Sequence, residues 1–177
     1  MNPIKKPKKF ISKKRIADRV GELGGELAKD YKNKDLSIVA LSNGAVVFTA
    51  DLIRKIDIPL RLDVISVHSY VGQKSSGKIS LNSTLRLDVS GRHVLLVDDI
   101  LDTGRTVLKV IEHLKTHNPK EVKVCVLLDK PSRRVADVKS DYAGFEIPDK
   151  FVVGYGLDYN EHYRNLPYIG ILQNELE

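Results

Sequence analysis

The chain has 177 residues, 42% apolar and 29% charged, with one cysteine and no tryptophan. That length fits one ordinary domain with a sizeable core. The lone Cys125 excludes a disulfide framework or a cysteine-built zinc site and suits a reducing compartment. No apolar run nears the roughly 18 residues of a membrane span, and no apolar stretch follows the basic start as in a secretory leader. The expectation is a cytoplasmic protein that does not enter a membrane. The net charge of +6 invites a nucleic-acid reading. Seven of the 29 basic residues, however, fall within residues 1–15, which hold no acid, so the rest carries 22 basic against 23 acidic side chains. The division expected is a basic flexible tail over 1–15 and a single domain over 16–177.

After Ser12, a candidate N-cap, Ile16, Val20, Leu23 and Leu27 form one helical stripe that ends near Tyr31. Gly24-Gly25 inside it signals close packing or a kink. Ser37 to Leu41 reads as a short buried strand, and Asn43-Gly44 breaks it. A helix is expected over Ala45 to Lys55 with Val46, Val47, Ala50 and Ile53 inward. Leu60 to His68 is strand-like, and Gln73 to Lys78 is a polar segment without an apolar anchor, expected as a mobile loop. Val94 to Val97 is a continuous apolar run, the mark of a parallel strand covered on both faces. Val107, Val110, Ile111 and Leu114 give the next helix its face, and Val122 to Leu128 is another buried strand. Phe145 to Leu172 reads as short strands punctuated by Gly and Pro. Strand, helix and strand at this spacing imply an α/β class with a central, mostly parallel sheet flanked by helices.

The segment Val94-Leu95-Leu96-Val97-Asp98-Asp99-Ile100-Leu101-Asp102-Thr103-Gly104-Arg105-Thr106 carries the most chemistry. A hydrophobic strand runs into two acids, passes a third, and opens a helix through a Thr-Gly-Arg-Thr turn. Open α/β sheets bind ligands at the carboxyl ends of their strands. The turn offers backbone N–H groups, two hydroxyls and a helix N-terminus, a set suited to a phosphate. Adjacent acids can hold sugar hydroxyls or a divalent ion. Helix capping by the acids is the plainer explanation, but the four hydrophobic residues before them favour function. The spacing differs from the GxxxxGK[ST] phosphate loop.

This segment resembles the phosphoribosyl-diphosphate signature of the type I phosphoribosyltransferases. The run from Gly144 to Tyr159 (GFEIPDKFVVGYGLDY) is similar to the base-binding stretch of the hypoxanthine-guanine branch. Leu127-Leu128-Asp129-Lys130 and Glu161-His162-Tyr163-Arg164 also match that branch, and Ser69-Tyr70 matches its mobile active-site loop. The resemblance covers about residue 16 to the C-terminus. It implies that fold, with a small hood built from the N- and C-terminal segments. It also implies transfer of a 5-phosphoribosyl group from phosphoribosyl diphosphate to N9 of hypoxanthine or guanine, releasing pyrophosphate with Mg²⁺ present. A homodimer or homotetramer is implied as well.

By the same resemblance, Asp98 and Asp99 face the ribose hydroxyls. Asp102 faces purine N7 as general base or acceptor, and Thr103, Gly104, Arg105 and Thr106 cradle the 5′-phosphate. Lys150 reads the 6-oxo group, Phe151 stacks on the ring, Val152 bonds through its backbone and Ile100 packs on the opposite face. Lys130 steadies the base and Asp102. Asp158 sits where the branch contacts Mg²⁺ and the 2-position side of the base, and Asp158, Asp98 and Asp99 are the candidate Mg²⁺ contacts. One segment departs from the pattern: the branch usually has Leu-Lys-Gly in its pyrophosphate loop, with a non-proline cis peptide, and here Ser42-Asn43-Gly44 aligns there. Asn keeps a donor but loses a charge, so pyrophosphate would depend more on Arg164, Mg²⁺ and backbone N–H groups. A xanthine-preferring transferase and an RNA-binding regulator of the same fold are the alternatives. Against the latter, Phe10 is the only aromatic residue within the basic run. The five histidines share no metal-ligand spacing.

Overall fold

The computed structural model describes residues 6–69, 79–81 and 85–172. In chain order the elements are β1 (Lys8–Ile11), α1 (Lys13–Asp30), β2 (Leu36–Ser42), α2 (Val46–Ile53), β3 (Leu60–Ser69) and β4 (Ile79–Leu81). They continue with β5 (His93–Leu101), α3 (Arg105–Lys115), β6 (Glu121–Asp129), a 3₁₀ turn at Pro131–Arg133, β7 (Tyr142–Glu146), β8 (Val152–Val153) and β9 (Ile169–Ile171). The main sheet has the order β4-β3-β2-β5-β6-β7. All its pairings are parallel except β3 with the short β4. A second sheet, β1-β9-β8, is antiparallel and joins the two ends of the chain into the expected hood.

The apolar run of β5 is divided between two cores because successive side chains of a strand point to opposite faces. Leu95 and Val97 join Ile16, Val20, Leu23 and Leu27 of α1 and Phe48 and Leu52 of α2. Val94 and Leu96 join Val107, Val110 and Leu114 of α3 on the other face. Burial on both faces makes β5 the central strand and carries its C-terminal end to the middle of the sheet's upper edge. Cys125 of β6 is buried in the first core, where burial pushes its thiol well above the ordinary range. It packs as a small apolar residue.

Ser12 caps α1 as expected, its hydroxyl accepting from the Arg15 N–H at 3.3 Å. A side-chain carbon at Gly24 would overlap Lys55, so this glycine permits close approach of α1 to the end of α2, whereas Gly25 faces open space. Two expectations are corrected. The buried face of α2 is Phe48, Thr49 and Leu52; of the residues expected inward, Val47 and Ile53 do pack against the core, partly buried, whereas Val46 is 47% exposed and Ala50 is exposed. Six of the eight residues of this helix are apolar, so periodicity alone does not select a face. The basic segment is also not a flexible tail up to residue 15. Residues 8–11 form β1 against β9, and α1 begins at Lys13. Among the described residues, no helix is long and apolar enough to cross a membrane.

Candidate active site

The strand β5 extends beyond its apolar run to Leu101, so Asp98 and Asp99 lie within it and Asp102 follows it directly. Register brings Ile100 opposite Leu128 and Leu101 opposite Asp129 on β6, and the Lys130 N–H donates to the Leu101 carbonyl at 3.0 Å. Asp102 and Lys130 therefore follow neighbouring strand ends, one after β5 and one after β6. A cleft of about 240 Å³ is lined by Asp98 to Gly104 together with Thr106 and Val107. Its wall is the start of α3, whose N-cap is Gly104 in the left-handed region at φ +80°. A side chain at Gly104 would overlap Val138, so the turn needs glycine for both conformation and space. The first N–H groups of α3 have no acceptor within the helix.

Asp98 and Asp99 keep an edge in the cleft while protein atoms exclude most of the water around their carboxylates. Burial, and then the charge of Asp99, holds Asp98 well above the usual carboxylate range. Burial raises Asp99 as well, opposed by hydrogen bonds from Asp98 and the Ile100 N–H and by the nearby charge of Arg164. Each carboxylate also accepts from the next backbone N–H, at 2.9 Å for Asp98 and 2.8 Å for Asp99. The pair holds negative charge that the protein only partly compensates.

The loop after β2 lies against Asp99. The Ser42–Asn43 peptide is cis. The Ser42 hydroxyl shares a 2.7 Å hydrogen bond with that of Ser66. Asn43 is exposed, and a side chain at Gly44 would overlap the Asp99 carboxylate. The Gly44 carbonyl in turn abuts Gly156, at φ +103°, in the turn after β8. Arg164 fastens that turn: its Nη1 donates to the Gly156 carbonyl at 2.8 Å, and its Nη2 pairs with Asp158 at 2.9 Å and Glu161 at 3.1 Å.

On the side expected for the base, Lys130 is buried with its Nζ 3.9 Å from Asp149. Lys150 is exposed. Phe151 is 44% exposed, its ring edge-on to Tyr159 at 5.6 Å, and Val152 is buried in β8. Asp102 is engaged by Arg133, Nε to Oδ1 at 3.2 Å, and not by Lys130 as expected. Sequence reasoning passed over Arg133, Asp149 and Gly156. Asp149 and Gly156 lie inside the Gly144–Tyr159 stretch, but no local pattern marks Arg133. Ser69 ends β3, while Tyr70 and residues 73–78 lie outside the described residues. Among the described residues, no three His, Cys, Asp or Glu side chains cluster as a metal site.

An open parallel sheet with acids and a phosphate-type helix start at its central strand end is the architecture of a phosphoribosyltransferase. The family model described as a phosphoribosyl transferase domain matches residues 9–160. The hypoxanthine-guanine phosphoribosyltransferase of Streptococcus pneumoniae is 44% identical over 99% of this chain and 97% of its own length. That of Bacillus subtilis is 46% identical over 94% and 93%. Among solved structures, a hypoxanthine phosphoribosyltransferase from Staphylococcus aureus is 42% identical, covering 94% of this chain and 91% of its own, with a TM-score of 0.89. A hypoxanthine-guanine phosphoribosyltransferase from Bacillus anthracis is 39% identical over 95% and 100%, with a TM-score of 0.90. The chain belongs to the hypoxanthine-guanine phosphoribosyltransferase family, and is a transferase of that class.

Proposed function

We propose that this enzyme serves purine salvage by transferring the 5-phosphoribosyl group of phosphoribosyl diphosphate to N9 of hypoxanthine or guanine, giving IMP or GMP and pyrophosphate. The observation that carries this is the meeting of Asp98, Asp99, Asp102 and the Thr103–Thr106 helix start in one cleft. Asp98 and Asp99 accept from the ribose 2′ and 3′ hydroxyls. Thr103, Gly104, Arg105 and Thr106 hold the 5′-phosphate through hydroxyls and the unpaired N–H groups of α3. As the bond from the sugar carbon to diphosphate breaks, positive charge develops on the ring, and the carboxylates stabilise it. Asp102 accepts the proton that the purine loses on bonding through N9.

Ser42, Asn43, Gly44 and Arg164 bind the diphosphate, with Asn43 offering a neutral donor. Lys150 donates to the 6-oxo group, which an amine at that position would not accept. Phe151 and Ile100 enclose the ring, Val152 bonds its edge through the backbone, and Lys130 lies beneath. The oxygen donors and uncompensated charge of Asp98 and Asp99 fit a hard divalent cation. Mg²⁺ needs only one or two carboxylates beside substrate phosphates. Asp98 and Asp99 suit it better than Asp158, whose oxygens already take Arg164 and the Glu161 N–H. When bound, it supplies charge neutralisation for the leaving diphosphate.

We place the enzyme in the cytoplasm as a homodimer or homotetramer. Leu62 and Val64, 41% and 46% exposed on one face of β3, support burial by a second copy. The test is nucleotide formation from phosphoribosyl diphosphate and Mg²⁺ with hypoxanthine, guanine, xanthine, adenine or uracil supplied separately. Turnover with hypoxanthine and guanine is expected; its absence with both sinks the proposal, and a faster rate with xanthine would favour the xanthine-preferring alternative.

A further inference from the structure

Asp102 follows β5 on a loop, and a proton acceptor on a loop needs something to orient it. The segment after β6 does this. The Val135 and Ala136 N–H groups both donate to the Thr103 carbonyl at 3.0 Å. Arg134 Nη2 bonds the Leu101 carbonyl at 3.2 Å and pairs with Asp129. The turn Pro131–Arg133 is thereby fastened to both flanks of Asp102, and Arg133, its last residue, reaches across. Its Nε meets Asp102 Oδ1 at 3.2 Å, and its Nη1 meets Asp149 Oδ2 at 3.4 Å. Asp149 Oδ1 lies 3.9 Å from Lys130 Nζ. Charges alternate along this chain of four side chains, from Asp102 through Arg133 and Asp149 to Lys130. Among the described residues, Asp102 Oδ2 accepts no hydrogen bond.

Stability does not account for the arrangement. Arg133 is 47% exposed and Asp102 38% in their side chains, and ion pairs this exposed contribute little. Geometry does. A guanidinium is planar and always charged, and its separate N–H groups can hold one carboxylate while a second anchors it. With Oδ1 occupied, rotation of the Asp102 carboxylate is restrained and Oδ2 keeps a fixed direction. We propose that Arg133 is a positioning residue that holds Asp102 through Oδ1 and leaves Oδ2 for the imidazole edge of the purine, with Asp149 tethering the guanidinium. This rests on Asp102 being the proton acceptor proposed above.

The test is steady-state kinetics with hypoxanthine on the full chain for wild type, Arg133→Gln, Arg133→Lys, Asp102→Asn and the Arg133→Gln/Asp102→Asn double variant, with thermal melts alongside. Arg133→Gln should lower kcat roughly tenfold and change KM for phosphoribosyl diphosphate less than about twofold. Arg133→Lys, which keeps the charge but not the fork, should recover part of that loss. In the Asp102→Asn background, Arg133→Gln should cost less than about twofold further, since its target is gone. Full activity in Arg133→Gln, or an equal loss in both backgrounds, overturns the positioning role while the activity stands. Full activity in Asp102→Asn overturns the role of Asp102 and this inference with it. A wild-type enzyme inactive with every base overturns the proposed function itself.

Discussion

The two ends of β5 are built on opposite terms. At its N-terminal end His93 is buried and pairs with Glu121 on β6, and the hydrogen bond from His93 holds the Glu121 carboxyl below its ordinary range. At its C-terminal end, five residues later, Asp98 and Asp99 stand side by side with their proton affinity raised. One strand thus carries a satisfied pair at one end and, at the other, two carboxyls whose ionised forms are disfavoured by burial and, for Asp98, by its neighbour's charge. The lower end contributes to folding. The upper end opposes it and holds a charge distribution suited to a sugar, a phosphate and a cation, the usual relation between stability and an active site.

The largest expected effect comes from closing the gap that the upper end keeps open. Gly44→Ala drives a methyl group into the Asp99 carboxylate. Turnover should fall at least ~100-fold, as displacement of about 1 Å in a reacting group can do, with an unchanged far-UV circular dichroism spectrum. A retained rate would show that Asp99 can move without consequence.

Asp98→Asn should make the two ends alike. A carboxyl raised in the folded state binds its proton more tightly there than in the unfolded chain. Its effect is therefore a loss of stability as pH rises from the ordinary carboxylate range through the raised folded value, complete above it. The variant should melt about 2–4 °C higher at pH values above that window, the shift that ~1 kcal/mol makes in a domain of this size. It should melt with wild type below the window and turn over more slowly throughout. An equal or lower midpoint above the window would remove the claim that the buried charge of Asp98 opposes folding.

Asn43→Lys restores the charge usual in this loop and should lower the apparent KM for phosphoribosyl diphosphate by roughly three- to tenfold, a gain of the order of one charge-assisted hydrogen bond. No change would mean that the neutral donor already suffices. The smallest effect belongs to the lower end. Glu121→Gln should lower the melting midpoint by only about 1–2 °C at neutral pH, because the carboxylate is partly solvated. The sign is opposite to that of Asp98: a depressed carboxyl contributes stability that is present above its unfolded range and lost as pH falls through its folded value. The difference from wild type should therefore vanish in acid, and turnover should not change.

Much of this protein was determined by local pattern. The stripe Ile16, Val20, Leu23, Leu27, the apolar run Val94–Val97 and the acids leading into Thr103-Gly104 each state their element because periodicity and turn chemistry act over a few neighbours. The family resemblance followed from contiguous motifs for the same reason. Tertiary structure decided what contiguity cannot express. Which side of α2 faces inward depended on the sheet beneath a helix apolar on most sides. Residues 8–11 of the basic run became strand β1 because β9, from the far end of the chain, lay ready to pair with them. Arg133 reached Asp102 across 31 positions only because the segment after β6 is fastened to the loop after β5. The same strand pairing that makes β5 central carries its acids to one end and its histidine to the other.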